Sequence, residues 1–275
     1  MKDNPWHQYC IQAKKLAEKA GEMIMSYYAN LNKISIQYKI DRSPVTIADN
    51  SAHHLISQGL QKAFPDIPIL SEEAANIDYQ IRHDWQTYWL IDPLDGTKEF
   101  LKGNGEFTVN IALIDQHQPV VGVIYSPVLK QMYWAMAGDS AYMQEVAKIS
   151  VLQTRSANLE QLTLTISRSH PNEKIQQLIA RLADYSLVRM GSSLKTCQIA
   201  AGLADLYPRF GPTSEWDTAA AQCILNAAGG KIIDVNGREL RYNQKESLIN
   251  PWFLAVGDVS INWFKLILGS ESKIN

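Results

Sequence analysis

The chain has 275 residues, of which 46% are hydrophobic and 20% charged, and its formal net charge is −2. This is the composition of a globular protein that can bury a full core, as one large domain or two closely packed ones. A net charge so close to zero gives no electrostatic basis for binding a nucleic-acid polymer. A small anionic ligand is compatible with it, because a bound metal ion can supply positive charge.

The cysteines and the N-terminal residues indicate where the protein resides. Cys10, Cys197 and Cys223 lie far apart and lack the spacing of a disulfide framework or a zinc site, which favours a reducing compartment. The polar N-terminal residues contain no signal-peptide core, and no apolar run is long enough to span a bilayer. We therefore expect a cytoplasmic protein, and leave open a peripheral contact with the cytoplasmic face of the inner membrane.

The N-terminal part of the chain predicts two amphipathic helices and several short strands. An Asn-Pro pair at residues 4 and 5 is a typical helix start, and apolar residues then recur at three- and four-residue steps. A second helix opens near Thr46 and Asp49, which have the spacing of a capping box, and Pro65 ends it. Local sequence leaves Asp49 equally open to capping and to catalysis. Strands are predicted at 34–38, 67–70 and 88–91.

One acidic stretch carries the clearest chemical signal. Asp92 and Asp95 flank Pro93-Leu94, and Gly96-Thr97 follow. Because proline fixes φ and glycine frees it, we expect a sharp turn that aims both carboxylates at one point and exposes the carbonyl between them. Oxygen ligands of this kind suit Mg²⁺, and the two amides after Asp95 would then face an anion bound to the metal. An ordinary turn between strands is the alternative interpretation.

The rest of the chain predicts an antiparallel meander followed by an α/β half. The meander strands are expected at 107–114, 119–125 and 131–137, with a continuation at 138–142. Later strands are predicted at 162–166, 187–190, 205–210, 232–233 and 253–256. Helices are predicted at 173–183, 191–201, 214–228 and 261–268.

Two further acidic residues have simple structural explanations when taken alone. Glu72 belongs to a Glu-Glu pair at a strand end, which is typical of a solvated helix start. Asp217 lies near the start of the helix predicted at 214–228, where a negative charge favours the helix dipole. Together with the acidic stretch, however, they make a divalent-cation site the better interpretation.

Considered together, these motifs resemble those of the inositol monophosphatase-like superfamily of Mg²⁺-dependent, lithium-inhibited phosphatases. The resemblance rests on Asp92-Pro-Leu-Asp95-Gly-Thr97 and on Glu215-Trp216-Asp217. Other segments are similar to the CysQ-type 3′(2′),5′-bisphosphate nucleotidases of that superfamily, namely 43–49, 70–73, 96–100, 191–195 and 207–212. The likeness runs from near residue 9 to near residue 257. It implies an α/β (α+β) fold, the layered α/β/α/β/α sandwich of sugar phosphatases.

The resemblance also implies roles for single residues. The implied ligands of two or three Mg²⁺ ions are Glu72, Asp92, the Leu94 carbonyl, Asp95 and Asp217. Asp49 and Thr97 match the pair that orients or deprotonates the attacking water. The implied substrate contacts are Glu72, Gly96, Thr97, His170, Ser192, Lys195, Arg209 and Asp217. Residues 1–158 would hold the N-terminal helices, the antiparallel sheet and most metal ligands, and residues 159–275 the substrate contacts and the last metal ligand.

The implied reaction is hydrolysis of the 3′-phosphate of adenosine 3′,5′-bisphosphate to AMP and phosphate, by in-line attack of a metal-activated water. It would recycle a by-product of sulfate activation. Lys195 and Arg209 would bind the second phosphate, although a surface salt bridge would explain such residues equally simply. Which bisphosphate is preferred stays open, and so does the homodimer that is common among such relatives.

Two other functions compete with this one. An inositol monophosphatase is disfavoured by Lys98-Glu99-Phe100 and by the Lys195/Arg209 pair. A non-catalytic sensor that binds nucleotide and metal is disfavoured by the Asp49/Thr97 pair, because a binding protein needs no groups that activate water.

Overall fold

The computed structural model describes residues 4–31, 36–38, 44–168, 173–182 and 184–268. Its helices are α1 (His7–Tyr28), α2 (Ile47–Ala63), α3 (Tyr79–Arg82), α4 (Thr97–Leu101), α5 (Glu173–Ile179), α6 (Leu194–Ala200), α7 (Glu215–Ala227) and α8 (Trp263–Leu268). None of the helices in these ranges is both long and apolar enough to cross a bilayer.

The strands form one two-stranded pair and two larger sheets. The first strands are β1 (Ile36–Tyr38), β2 (Pro44–Thr46), β3 (Ile69–Ser71), β4 (Thr87–Asp95), β5 (Thr108–Asp115), β6 (Gln118–Ser126), β7 (Gln131–Met136), β8 (Ala141–Glu145) and β9 (Lys148–Leu152). The later strands are β10 (Leu162–Ser167), β11 (Tyr185–Met190), β12 (Leu206–Arg209), β13 (Lys231–Asp234) and β14 (Phe253–Val256).

Sheet topology follows the chain closely in the first large sheet and less so in the second. The seven-stranded sheet runs in sequence order from β3 to β9, and only its β3–β4 pair is parallel. The five-stranded sheet has the order β11-β10-β12-β14-β13. In it β10 lies parallel to β11 and β12, whereas β14 lies antiparallel to β12 and β13.

Helices and sheets alternate in five layers. Helices α1 and α2 pack on the outer face of the seven-stranded sheet, and α6 and α7 fill the space between the two sheets. Helices α5 and α8 cover the outer face of the five-stranded sheet. This order confirms the α/β/α/β/α sandwich, in which each sheet buries both faces.

The central helix α7 lies unusually close to the seven-stranded sheet. Ala219, Ala220 and Ala221 are buried and present almost no side-chain bulk. On β6, a Cβ atom added to Gly122 would lie 2.4 Å from the Ala220 carbonyl oxygen and 2.7 Å from Cβ of Cys223. Small residues on both elements therefore set the depth of α7, whose first turn carries Asp217.

The sharp turn predicted after residue 91 is wrong, because β4 continues through Asp95. The register pairs Asp92 with Asn110 and Asp95 with Thr108, so three steps on β4 oppose two on β5. This is a bulge, and its extra residue cancels the usual alternation, so that Asp92 and Asp95 point to the same side of the sheet. Pro93 has no amide hydrogen, and a bulge is one of the places where a sheet tolerates it.

Smaller predictions also differ from the structure. Helix α1 begins at His7, while the Asn4 side chain accepts a hydrogen bond from the Trp6 amide 2.9 Å away. The predicted continuation of the meander at 138–142 overlaps β8, and β9 extends the sheet beyond the prediction. Strand β9 was not predicted. It is an edge strand, and its apolar residues Ile149 and Val151 are more than half exposed, so it lacks the pattern of one apolar buried face and one polar exposed face that marks a strand in a sequence. Residues 34–35 of the first predicted strand and residue 183 of a predicted helix lie outside the described residues.

The predicted boundary at residue 158 falls between the two large sheets. The seven-stranded sheet uses residues 69–152, and the five-stranded sheet uses residues 162–256. Helix α7 nevertheless packs on both sheets. The division into two domains therefore stays a proposal.

Replacing Gly122 with alanine tests the close packing of α7. We expect Gly122→Ala to lower the free energy of unfolding by about 1–3 kcal/mol, because the new methyl group meets the backbone of α7. Urea denaturation measures the change. Gly257→Ala is the matched control, since its added Cβ would lie no closer than 3.3 Å to a neighbour and the loss should be smaller. Equal losses in the two variants would contradict this account of the packing.

Candidate active site

One open cavity collects residues from both halves of the chain. Its walls come from the end of β4, the start of α4, the loop before α6, strand β12 and the first turn of α7. The predicted site residues that line it are Glu72, Asp95, Gly96, Thr97, Ser192, Lys195, Arg209 and Asp217.

The remaining predicted residues lie behind this wall or outside the described chain. Asp92 and Leu94 are almost fully buried in β4. Asp49 is buried at the start of α2 and contacts Thr97, which faces the cavity. His170 lies outside the described residues, so its predicted substrate contact stays a prediction.

Asp49 uses its two carboxylate oxygens for different tasks. Oδ2 accepts hydrogen bonds from the Thr46 amide at 2.8 Å and the Thr46 hydroxyl at 2.6 Å, which completes a capping box at the start of α2. Oδ1 accepts a hydrogen bond from the Thr97 hydroxyl at 3.0 Å. Burial raises the pKa of Asp49, and the hydrogen bonds from Thr46 and Thr97 oppose that rise. Asp49 therefore caps α2 with one oxygen and contacts the site with the other.

Asp217 is placed in the same way at the start of α7. Its Oδ2 accepts a hydrogen bond from the Ser214 amide at 2.9 Å, again within a capping box. Both aspartates occupy the third position of a helix, and a negative charge there is favourable because of the helix dipole. The sequence interpretation of Asp217 as a helix-start charge is therefore correct, and the same residue also lines the cavity.

The segment from Asp92 to Thr97 is stabilised by hydrogen bonds between its own side chains and backbone. The Leu94 amide donates to Oδ1 of Asp92 at 3.1 Å, and the Leu94 carbonyl lies 3.3 Å from the Thr97 hydroxyl. Gly96 has φ of 92°, which favours glycine, and a Cβ atom there would approach the Glu106 carbonyl oxygen to 3.1 Å. The chain can therefore turn from β4 into α4 directly beside Asp95.

Four carboxylates act on one another across this site. Burial raises the pKa of Asp92 well above its usual range, and the charges of Glu72, Asp95 and Asp217 raise it further. The pKa of Asp217 is raised by burial, then by Asp95 and Glu72, while Arg209 has a smaller opposite effect. The side chain of Glu72 also contacts that of Asp92, which raises the pKa of Asp92 further. Divalent cations would relieve this repulsion.

The donor set fits Mg²⁺ in its chemistry. Its atoms are carboxylate oxygens and the Leu94 carbonyl, and hard cations prefer oxygen ligands. In the described part of the chain, no three histidine, cysteine, aspartate or glutamate side chains are arranged to hold a metal ion as they stand. Glu72, Asp95 and Asp217 nevertheless line one cavity with Asp92 buried behind it, and their coordination would be completed as ions bind.

Part of the cavity wall is cationic, with Lys195 and Arg209. Lys195 is buried, donates to the Ser192 carbonyl oxygen, and places Nζ 5.2 Å from the ring centre of Tyr207. Arg209 donates from Nη2 to the Pro212 carbonyl oxygen at 2.7 Å, and its buried Nε has no partner among the described residues. Within the described ranges neither cation forms an ion pair with a carboxylate. The surface salt bridge considered from the sequence is therefore not observed there.

Some residues of the cavity were not predicted from the sequence. Tyr207 and Phe253 lie in its wall as an edge-to-face aromatic pair, with ring centres 5.8 Å apart. Ser193 lies beside Asp95, whereas the predicted contact was its neighbour Ser192, which has φ of 48°. The sequence predicts that the Gly-Ser-Ser segment opens a helix, but it does not say which hydroxyl faces which group.

Comparison with known proteins identifies the family. Residues 6–263 match the model of the inositol monophosphatase family. The chain is 48% identical over 242 residues to the 3′(2′),5′-bisphosphate nucleotidase CysQ of Salmonella typhimurium, an alignment that covers 88% of this chain and 97% of the relative. It is 44% identical over 259 residues to the CysQ nucleotidase of Buchnera aphidicola, covering 92% and 95% of the two chains.

A solved structure agrees with these matches. The crystal structure of CysQ from Bacteroides thetaiotaomicron, described as a bacterial member of the inositol monophosphatase family, aligns with a TM-score of 0.80 at 40% identity. The alignment covers 92% of this chain and 98% of that one. The resemblance seen in the motifs is confirmed, both to the superfamily and to its CysQ-type nucleotidases. The chain belongs to the inositol monophosphatase family of phosphatases.

Proposed function

We propose that the protein hydrolyses the 3′-phosphate of adenosine 3′,5′-bisphosphate and releases AMP and inorganic phosphate. The names of its relatives support a 3′(2′),5′-bisphosphate nucleotidase. One feature of the site carries the proposal beyond those names. The same cavity has an acidic wall for metal ions and a cationic wall, whose two cations have no carboxylate partner in the described chain. A substrate with two phosphates would satisfy both walls.

The charge balance of the cationic wall argues for a second phosphate. A lysine as buried as Lys195 is rarely left without an anion, since its desolvation must be offset. Arg209 has donors left over after its bond to Pro212 and can bind a phosphate through two of them. A single-phosphate ester held at the acidic wall would leave both cations without an anion, which favours a bisphosphate over inositol phosphate.

The acidic wall would hold Mg²⁺ through Glu72, Asp92, the Leu94 carbonyl, Asp95 and Asp217. When bound, the ions supply Lewis-acid chemistry, offsetting charge on the phosphate and making water more acidic. The amides of Gly96 and Thr97 would hold the phosphate that is cleaved. In the overall reaction water adds to phosphorus, the bond from phosphorus to the 3′ oxygen breaks, and that oxygen receives a proton.

Thr97 and Asp49 would orient the attacking water. Because the Thr97 hydroxyl donates to Oδ1 of Asp49, the lone pairs of its oxygen are left to accept a hydrogen bond from water. Through Thr97, Asp49 would take the proton that water gives up and release it to solvent, from which the 3′ oxygen gains its own. The buried position of Asp49 makes it a stronger base than an exposed aspartate. Oδ2 stays bound to Thr46, so the carboxylate cannot rotate away from this task.

Phosphate release from two substrates tests the proposed function. With Mg²⁺ present, we expect faster release from adenosine 3′,5′-bisphosphate than from inositol 1-phosphate, and no release from either after treatment with EDTA. Free phosphate measured over time gives both rates. Preference for inositol phosphate would contradict the roles of Lys195 and Arg209. A protein that binds the nucleotide but hydrolyses neither ester would be the sensor considered above.

The two cations can be tested through selectivity. We expect Lys195→Met and Arg209→Met each to lower kcat/KM for adenosine 3′,5′-bisphosphate by roughly 10- to 100-fold. Each variant loses a charge-assisted hydrogen bond to the second phosphate, which contributes about 1.5–3 kcal/mol to binding. Adenosine 3′-monophosphate is the matched substrate, since it lacks that phosphate and its hydrolysis should change little. Equal losses on both substrates would contradict binding of the second phosphate here.

The hydroxyl of Thr97 can be removed with little change in shape. We expect Thr97→Val to lower kcat by about 100- to 10,000-fold, the usual contribution of a positioned acid–base group, while KM changes little. Thr97→Ser keeps the hydroxyl and should retain most of the turnover. Steady-state kinetics on the bisphosphate separates kcat from KM. A valine variant with near-normal kcat would show that the hydroxyl has no part in activating water.

A further inference from the structure

One oxygen of Asp95 is held by an unusually complete set of donors. Oδ2 accepts hydrogen bonds from the Ser193 amide at 2.7 Å, the Ser193 hydroxyl at 2.8 Å and the Asn110 side-chain amide at 3.3 Å. No donor among the described residues is bonded to Oδ1. The carboxylate is thus fixed through one oxygen and leaves the other available.

The donors are themselves buried and held in place. Asn110 donates a second hydrogen bond to the Ser193 hydroxyl at 2.8 Å, and its carbonyl oxygen accepts one from the Thr108 hydroxyl at 2.9 Å. Thr108, Asn110 and Ser193 are no more than 6% exposed. The bond from Thr108 fixes which end of the Asn110 amide faces Asp95, so both of its N–H groups point into the site.

Ser193 belongs to the other half of the chain. Asp95 and Asn110 lie on β4 and β5 of the seven-stranded sheet, whereas Ser193 precedes α6. The Ser193 hydroxyl also lies 2.9 Å from the backbone carbonyl oxygen of Asp217, in the first turn of α7. A hydroxyl has one proton, so this single group lies between two of the residues expected to bind metal and can donate to either.

We propose that Ser193 and Asn110 are positioning residues of the metal site, which fix Asp95 through Oδ2 so that Oδ1 is the oxygen offered to a cation. Through Ser193 they also set the position of Asp95 relative to Asp217. The inference rests on the proposed function only in taking the same carboxylates as metal ligands, and does not depend on the substrate. Removal of a residue that hydrogen-bonds a ligating carboxylate typically weakens metal binding about 10- to 100-fold.

A purely structural role would have a different signature. Hydrogen bonds that only join the two halves would stabilise the folded protein and leave its metal affinity unchanged when they are removed. Positioning residues act on affinity itself, because a carboxylate that is free to rotate must be ordered as the ion binds. Metal affinity and metal-free stability therefore have to be measured on the same variants.

Calorimetric titration of the EDTA-treated full-length protein with Mg²⁺, and with Mn²⁺ as a second probe, tests the proposal. We expect Ser193→Ala and Asn110→Ala each to weaken binding about 10- to 100-fold. Ser193→Thr keeps the hydroxyl and should recover much of the affinity. The double variant should lose less than the sum of the two single losses, because Ser193 and Asn110 act on the same oxygen. Thermal unfolding in EDTA gives the metal-free stability of each variant.

Ser126→Ala is the matched control. Ser126 is fully buried on β6, and its hydroxyl has no hydrogen-bond partner among the described residues, so its removal should leave metal affinity unchanged. Should Ser193→Ala fail to fold, Asn110→Ala and Asn110→Ser still decide the question. Dissociation constants within twofold of the unaltered protein, with melting lowered in EDTA, would overturn the proposal. A protein that binds Mg²⁺ as expected but prefers another phosphate ester would overturn the proposed function and leave this inference intact.

Discussion

Repulsion among buried carboxylates is the constraint on which the rest of the structure depends. Glu72, Asp95 and Asp217 raise the pKa of Asp92, and Asp95 and Glu72 also raise that of Asp217, although the four residues come from three separate segments of the chain. Keeping like charges close requires a rigid frame, because any loose segment would move away and solvate its charge. The five layers provide that frame, and cations would supply the charge that the chain itself lacks at this point.

Helix ends solve part of this problem. Asp49 and Asp217 both occupy the third position of a helix and give one oxygen to a capping box, so the helix dipole and two backbone amides offset part of the charge. The same bonds fix the direction of the second oxygen. A residue that stabilises a helix start is in this way also a residue of the site, because Asp217 lines the cavity and Asp49 binds Thr97 in its wall. Stability and function therefore do not compete at these two positions.

Much of this could be predicted from the sequence, and the failures have physical causes. The resemblance to the phosphatase superfamily implied the five-layer fold, and eight of the residues it pointed to line one cavity. The turn at Asp92 was wrong because Pro and Gly signal a bend but do not distinguish a turn from a bulge, which depends on pairing with β5. Ser193 and Asn110 were missed because their role comes from contacts 98 and 15 residues distant along the chain, where local spacing gives no signal.

The bulge in β4 has a consequence for how this site tolerates change. In a regular strand, residues three apart face opposite sides, so Asp92 and Asp95 share a side only because β4 contains one residue more than β5 at this point. The site thus depends on the parity of a residue count as much as on its acidic side chains. Deletion of one residue between the two aspartates would leave both acidic residues in the sequence. One of the two carboxylates would then point to the other face of the sheet, where the apolar side chains packed under α1 and α2 lie.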